Sequence, residues 1–213
     1  MPEEKITRIG NIMLDSFERT RAASAAAREP EAIGVAGERY CVATLHRPAN
    51  VDERRSLGRL ADCLLAVHRL LPIVFPVHPR TAARLAEFGL AARLEEAGVR
   101  LIAPLPYIRF MSLVAGAAAV VTDSGGLQEE TTYLGIPCFT LRENTERPIT
   151  ITQGTNRLAT PVTLPDLLAT ALARTGARLP RPEFWDGNTA MRCLSDLRAR
   201  SGSVERVPRR AAA

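Results

Sequence analysis

Val120-Val121-Thr122-Asp123-Ser124-Gly125-Gly126-Leu127-Gln128-Glu129-Glu130 passes from a β-branched apolar run, through a polar turn carrying two glycines, into an acidic stretch of helical character. It reads as a buried strand that stops and a helix that starts. Two glycines let the backbone approach a ligand without Cβ atoms in the way, and the first amide N–H groups of a helix have no partner within it. Such a helix start suits phosphate. Glu130 falls one helical turn beyond Gly126 on the same face, where a carboxylate can accept from sugar hydroxyls. Phosphate plus ribose points to a nucleotide. The alternative for this stretch is a plain helix start, with Gly135 and Pro137 as its stop, but glycine is a poor helix former and the pair needs another reason to stand there.

Outward from this stretch, short apolar runs alternate with longer amphipathic ones. Strands are expected at 40–45, 72–77, 99–102, 118–122, 137–141 and 157–160. Helices are expected at 53–70, 80–97, 107–116, 126–134, 164–174 and 188–199. Before them come a helical turn at Pro2–Lys5, a helix from about Ile12 to Arg28 and a connector over 29–38. The alternation predicts an α/β fold, a doubly wound parallel sheet of Rossmann-like type. In such folds ligands lie beyond the carboxyl ends of the strands, and the polar clusters His46-Arg47, His78-Pro79-Arg80, Asp123–Gly126 and Arg142–Arg147 all follow strands. They should converge on one edge.

The 213 residues, 46% hydrophobic and 24% charged, suit one large or two small globular domains. The net charge of +5 comes from scattered arginines, Lys5 being the only lysine, and aromatics are 5%. That is unlike the basic, aromatic-interleaved face of a nucleic-acid binder. Cys41, Cys63, Cys138 and Cys193 show no CxxC spacing and read as reduced thiols, with Cys41 and Cys138 in core strands. No h-region opens the chain and no run of 18 apolar residues occurs, so a cytoplasmic protein without a membrane segment is expected. No metal and no cofactor are called for.

Taken singly, the other motifs have ordinary readings. TLHRPANVD (44–52) can be a solvated turn with an incidental histidine, and His78 of PVHPRT (76–81) can bond loop backbone. LRENTERP (141–148) can be a surface ion-pair cluster, or a phosphate site in which the guanidinium of Arg142 or Arg147 meets the oxygens with paired hydrogen bonds.

In combination and in this order, GNIMLD (10–15), TLHRPANVD, PVHPRT, PLPYIRF (104–110), TDSGGLQEE (122–130) and ENTERP…GTN (143–156) resemble the non-hydrolysing UDP-N-acetylglucosamine 2-epimerases over residues 2 to about 199. The resemblance implies the carboxyl-terminal domain of a two-domain GT-B fold, with the nucleotide sugar in the cleft between the domains. It implies interconversion of UDP-GlcNAc and UDP-ManNAc by anti elimination of UDP to a 2-acetamidoglucal and its return to the opposite face. By position, Ser124, Gly125 and Gly126 match the residues on the pyrophosphate, and Glu130 matches the carboxylate on the ribose. Phe110, with the backbone near Pro104, matches the uracil pocket. His46 matches the histidine at the sugar and phosphate, and Arg147 an arginine that supports the leaving UDP.

The departures shape the expectation further. The family's acid and base carboxylates belong to the N-terminal domain, and PEEKITRIGN resembles the segment that closes that domain. The expected organisation is therefore an interdomain remnant with a crossing helix at 1–38, a UDP-binding domain at 39–200 and a disordered tail at 201–213. The chain is expected to be a UDP half-site of a truncated or two-part protein, a homodimer in its full-length form. A stand-alone or inactive UDP-binding module, or a GT-B glycosyltransferase fragment, is the alternative. Ala49 stands where bacterial members often carry an acidic residue of an allosteric site, Ile149 where many have glutamate, and Ala159-Thr160 where Val-Gly often follows.

Overall fold

In the computed structural model, which describes residues 2–173 and 181–202, six short strands form one sheet. They are β1 (Cys41–Thr44), β2 (Ile73–Pro76), β3 (Arg100–Ile102), β4 (Ala119–Thr122), β5 (Cys138–Thr140) and β6 (Asn156–Leu158). All neighbours pair parallel, in the order β3-β2-β1-β4-β5-β6. After a 3-10 turn at Glu3–Lys5, eleven α-helices are described: α1 (Ile12–Ala27), α2 (Glu29–Ile33), α3 (Pro48–Val51), α4 (Arg54–Leu70), α5 (Pro79–Glu87), α6 (Leu90–Glu96), α7 (Tyr107–Ala115), α8 (Gly125–Leu134), α9 (Pro148–Thr152), α10 (Leu164–Ala173) and α11 (Thr189–Gly202).

The four central strands β2, β1, β4 and β5 are mostly apolar because both faces of the sheet are covered there, whereas the edge strands carry Arg100 in β3 and Asn156 and Arg157 in β6. Cys41, Ala43, Ile73, Phe75, Ala119, Val121 and Phe139 point into a core closed by Leu57, Leu60 and Leu64 of α4, Leu85 of α5, Leu94 of α6 and Leu164 and Leu168 of α10. Their neighbours Val42, Val74, Val120 and Cys138 point the other way, onto Leu14 and Phe17 of α1, Met111 and Val114 of α7, and Leu127 and Tyr133 of α8. The period-two alternation of the central strands thus feeds two separate cores. The strand order reverses between β1 and β4, which opens a crevice at their carboxyl ends.

The α/β reading holds, with four local corrections. The expected helix 80–97 is two helices, α5 and α6, parted at Gly89, whose φ of +70° an L side chain rarely adopts. The expected connector 29–38 contains α2, started by Pro30 in the first turn and closed by Gly34 in the left-handed conformation. The last strand begins one residue and ends two residues earlier than expected, at Asn156–Leu158, pairing with β5. The short helices α3 and α9 were not anticipated; each has proline at its first turn. The expected tail lies, apart from its first two residues, outside the described residues.

Burial also sets thiol reactivity. Desolvation pushes Cys41 up to about 12, and Cys63 and Cys138 up to about 11, so almost none of these is thiolate at neutral pH. Cys193 is half-exposed. A disulfide reagent should therefore titrate one thiol in the native chain and four after denaturation; a native stoichiometry above one would contradict the packing of the two cores.

Candidate functional site

α8 begins immediately beyond β4, and its start is open. Ser124 is the N-cap in extended conformation, yet its side chain makes no capping bond; instead its own N–H donates to Thr122 Oγ1 at 2.9 Å. Ser124, Gly125 and Gly126 are half-buried. Neither glycine has positive φ. A Cβ on Gly125 would meet nothing within 4 Å, and one on Gly126 would meet only Met13 Cε at 3.8 Å, an ordinary contact. Nothing in the described chain demands glycine at either position.

Across the crevice, the loop after β1 closes onto Asp123, which is fully buried. Its carboxylate accepts from the backbone N–H of His46 (3.1 and 3.0 Å), that of Arg47 (2.9 Å) and Asn50 Nδ2 (3.0 Å). Arg47 Nε returns a bond to the Asp123 carbonyl at 3.0 Å, and His46 Nδ1 lies 2.9 Å from Asp123 Oδ1. The His78 ring stands 5.6 Å from that of His46, tilted by 40°, while His78 Nδ1 accepts from Arg80 N and caps α5. The expected convergence of the loops after β1, β2 and β4 is present.

Glu130 is buried on the face of α8 that meets α7. The Tyr107 hydroxyl donates to its Oε1 at 2.7 Å, and among the described residues no donor reaches Oε2. Burial pushes the Glu130 carboxyl above the usual range; the Tyr107 bond opposes this and the neighbouring Glu129 adds to it. Phe110, one turn after Tyr107 on α7, is half-buried against the α1, α7 and α8 core. Pro104, at the approach to α7, is exposed.

The two arginines after β5 differ. Arg142 is nearly buried, and both its terminal nitrogens are engaged by Glu146, at 2.8 and 2.5 Å. That pair holds the Glu146 carboxyl at about 2. Arg147 keeps 43% of its side chain exposed and lies 3.1 Å from the almost buried Glu129, whose Oε1 also accepts from Asn11 Nδ2 at 2.9 Å. Of the two, Arg147 is the freer to meet a ligand. Arg142 faces a cleft of about 540 Å³ on the α4 side of the same edge, shared with Arg47, Asn50 and Arg59.

Residues 1–198 match the family model described as UDP-N-acetylglucosamine 2-epimerase. The chain belongs to this family. It is 39% identical over 163 residues to a UDP-N-acetylglucosamine 2-epimerase of Methanococcus maripaludis, covering 74% of this chain and 44% of that protein. It is 36% identical over 156 residues to the UDP-2,3-diacetamido-2,3-dideoxy-D-glucuronate 2-epimerase of Pseudomonas aeruginosa, covering 72% and 41%. Among solved structures, the Methanocaldococcus jannaschii UDP-GlcNAc 2-epimerase in complex with UDP-GlcNAc and UDP superposes with a TM-score of 0.77 at 31% identity, over 92% of this chain and 56% of that one. The chain thus spans about half the length of the relatives it matches.

The motifs of the 2-epimerase family are tied together here by a residue that motif reading did not single out. Gln128, fully buried, donates from Nε2 to the Ser124 carbonyl at 3.0 Å and accepts at Oε1 from Thr145 Oγ1 (2.6 Å) and Asn156 Nδ2 (3.0 Å). Asn156 also donates to Thr150 Oγ1 and accepts from Thr140 Oγ1. Asp123, Glu129 and Tyr107 were likewise unassigned. For Asp123, Gln128 and Glu129 the available signal was their polarity inside runs that had to be buried, since a buried polar group requires a partner, whereas Tyr107 is exposed and gave no such signal.

Proposed function

We propose that this chain is the UDP-holding half of a UDP-GlcNAc 2-epimerase. Ser124, Gly125 and Gly126 hold the diphosphate, Glu130 the ribose hydroxyls, and Phe110 with the Pro104 backbone the uracil; His46 and Arg147 face the junction between diphosphate and sugar. On this reading residues 39–200 form the nucleotide domain, and the carboxylates that move protons at the sugar come from the other half of the protein.

The observation that carries the reading is the open helix start with two glycines that the chain's own packing does not require. The unpaired amides and the helix dipole favour an anion, and the missing Cβ atoms let it sit against the backbone. In the reaction, loss of the C2 proton and breaking of the C1–O bond release UDP and leave a 2-acetamidoglucal; re-addition of UDP with protonation of the other face at C2 completes the inversion. This half contributes by stabilising charge on the departing diphosphate, which the α8 amides and Arg147 are arranged to do. Family membership leaves the glycosyltransferase reading without an observation of its own.

Proton NMR of the chain with UDP-GlcNAc in heavy water, following line widths, free UDP and deuterium at C2, tests this. Broadening of the uridine signals without chemistry is expected. No broadening with a folded chain would defeat the half-site, and deuterium at C2 would mean that this half carries the proton-transfer groups as well.

A second test concerns Glu130. Glu130→Ala should keep the fold, because it removes a carboxyl that burial disfavours, while UDP affinity falls by about 10- to 100-fold, the effect of one or two charge-assisted hydrogen bonds. Unchanged affinity by titration calorimetry would remove Glu130 from the ribose.

A further inference from the structure

We infer that Asp123 is the positioning residue for His46: it holds the proton on Nδ1 and so presents Nε2, on the opposite edge of the ring, to the ligand. What Nε2 meets rests on the UDP reading above; the tautomer does not.

The two carboxylate oxygens of Asp123 have different duties. Oδ2 accepts from Arg47 N at 2.9 Å and Asn50 Nδ2 at 3.0 Å, and the His46 N–H is shared between both oxygens. Oδ1 is the oxygen that faces His46 Nδ1, at 2.9 Å. A carboxylate only accepts hydrogen bonds, so the contact requires the proton on Nδ1. Nε2 is then bare when the ring is neutral and an N–H donor when the ring is charged, with a buried carboxylate behind it in either state. His78 does not compete for this proton, because its own Nδ1 accepts from Arg80 N. The His46 side chain is 39% exposed, which leaves the far edge of the ring open. Asp123 is followed directly by Ser124-Gly125-Gly126, so one run of chain both aims the imidazole and forms the anion site.

This division of duties makes Asp123→Asn an informative substitution. Its amide oxygen must take the Oδ2 position, because two N–H donors point there. The NH2 group then takes the Oδ1 position and donates to His46 Nδ1. Volume and the loop bonds to Oδ2 are conserved, the His46 N–H keeping only its Oδ2 partner, while the tautomer reverses, the same logic by which an Asp-to-Asn change in a serine-protease triad produces the wrong tautomer.

The experiment is long-range 1H–15N correlation of the ring nitrogens in the 15N-labelled chain, at a pH where the imidazoles are neutral, with His46 assigned by its loss in His46→Gln. Native His46 should show a protonated Nδ1 and a bare Nε2, and Asp123→Asn should exchange the two. A native ring protonated on Nε2 overturns the inference whether or not the variant folds; so does a folded Asp123→Asn that keeps Nδ1–H. Adding UDP to the native chain should move the Nε2 signal well beyond that of Nδ1. Binding that leaves Nε2 unmoved overturns the aim of the ring, whereas no binding of UDP, with the tautomer as expected, defeats the UDP reading and leaves the Asp123–His46 assignment standing.

Discussion

Gly126→Val should leave the chain folded and reduce UDP affinity by about 100-fold or more, the loss of at least two charge-assisted bonds from amides to the diphosphate. The expectation joins two facts with opposite consequences. To the protein the position is permissive: a Cβ there meets only the flexible end of Met13, 3.8 Å away, and φ is not positive. Valine is also a better helix residue than glycine by roughly half a kcal/mol, so thermal stability should be retained or slightly raised. To a diphosphate seated on the first turn of α8, the branched side chain stands where its oxygens must lie. Gly125→Ala should act in the same direction more weakly. Calorimetric titration with UDP beside a thermal melt separates the outcomes. Native affinity in a folded variant would remove the anion from this turn, and an unfolded variant would show that the fold itself requires the glycine.

Gly154→Ala should do the reverse and damage the fold first. A Cβ at this position would lie 2.5 Å from the Thr150 carbonyl oxygen and 2.5 and 2.6 Å from the Thr132 side chain. One of these is backbone, so the clash is not relieved by a rotamer change, and the cost should reach the upper end of the overpacking range, about 3 kcal/mol. For a chain of this size that corresponds to a drop of roughly 6–12 °C in Tm. Because Thr150 also accepts from Asn156, the shift should disturb the bonds to Gln128 and weaken UDP binding as a secondary effect. A melt within a degree of native would mean that the turn after α9 is far softer than its packing indicates. The same test thus separates the two glycines: on the UDP reading Gly126 is kept for a guest, whereas Gly154 is kept for its neighbours.

The centre of the sheet was legible because each of its strands is a short apolar run between turn residues, and burial on both faces leaves no polar alternation to confuse the reading. The break between α5 and α6 was not, since helical spacing of apolar residues continues on both sides of Gly89, and a lone glycine inside such a pattern permits a left-handed φ without requiring it. In the site, motif order located the loops after β1, β4 and β5. It could not say which of two arginines is free: Arg142 and Arg147 look alike in sequence, and only the fold gives Arg142 to Glu146 while leaving Arg147 exposed. Asp123 was quoted as part of a turn, but its role depends on donors 73 to 77 residues away. Such pairings are set by topology, here the reversal of strand order between β1 and β4, and pattern along the chain does not contain them.

The bonds of Gln128 also have a kinetic meaning. Because its amide joins the Ser124 carbonyl, Thr145 and Asn156, the turn before α8, the loop after β5 and the start of β6 are cross-linked in the free chain. Ligand arrival then has little backbone left to order, so association should follow encounter without a slow rearrangement, and differences among nucleotides should reside in how long each stays bound. Amide hydrogens around this junction should exchange slowly before any nucleotide is added, and severing the junction at Gln128 should accelerate exchange in all three segments together.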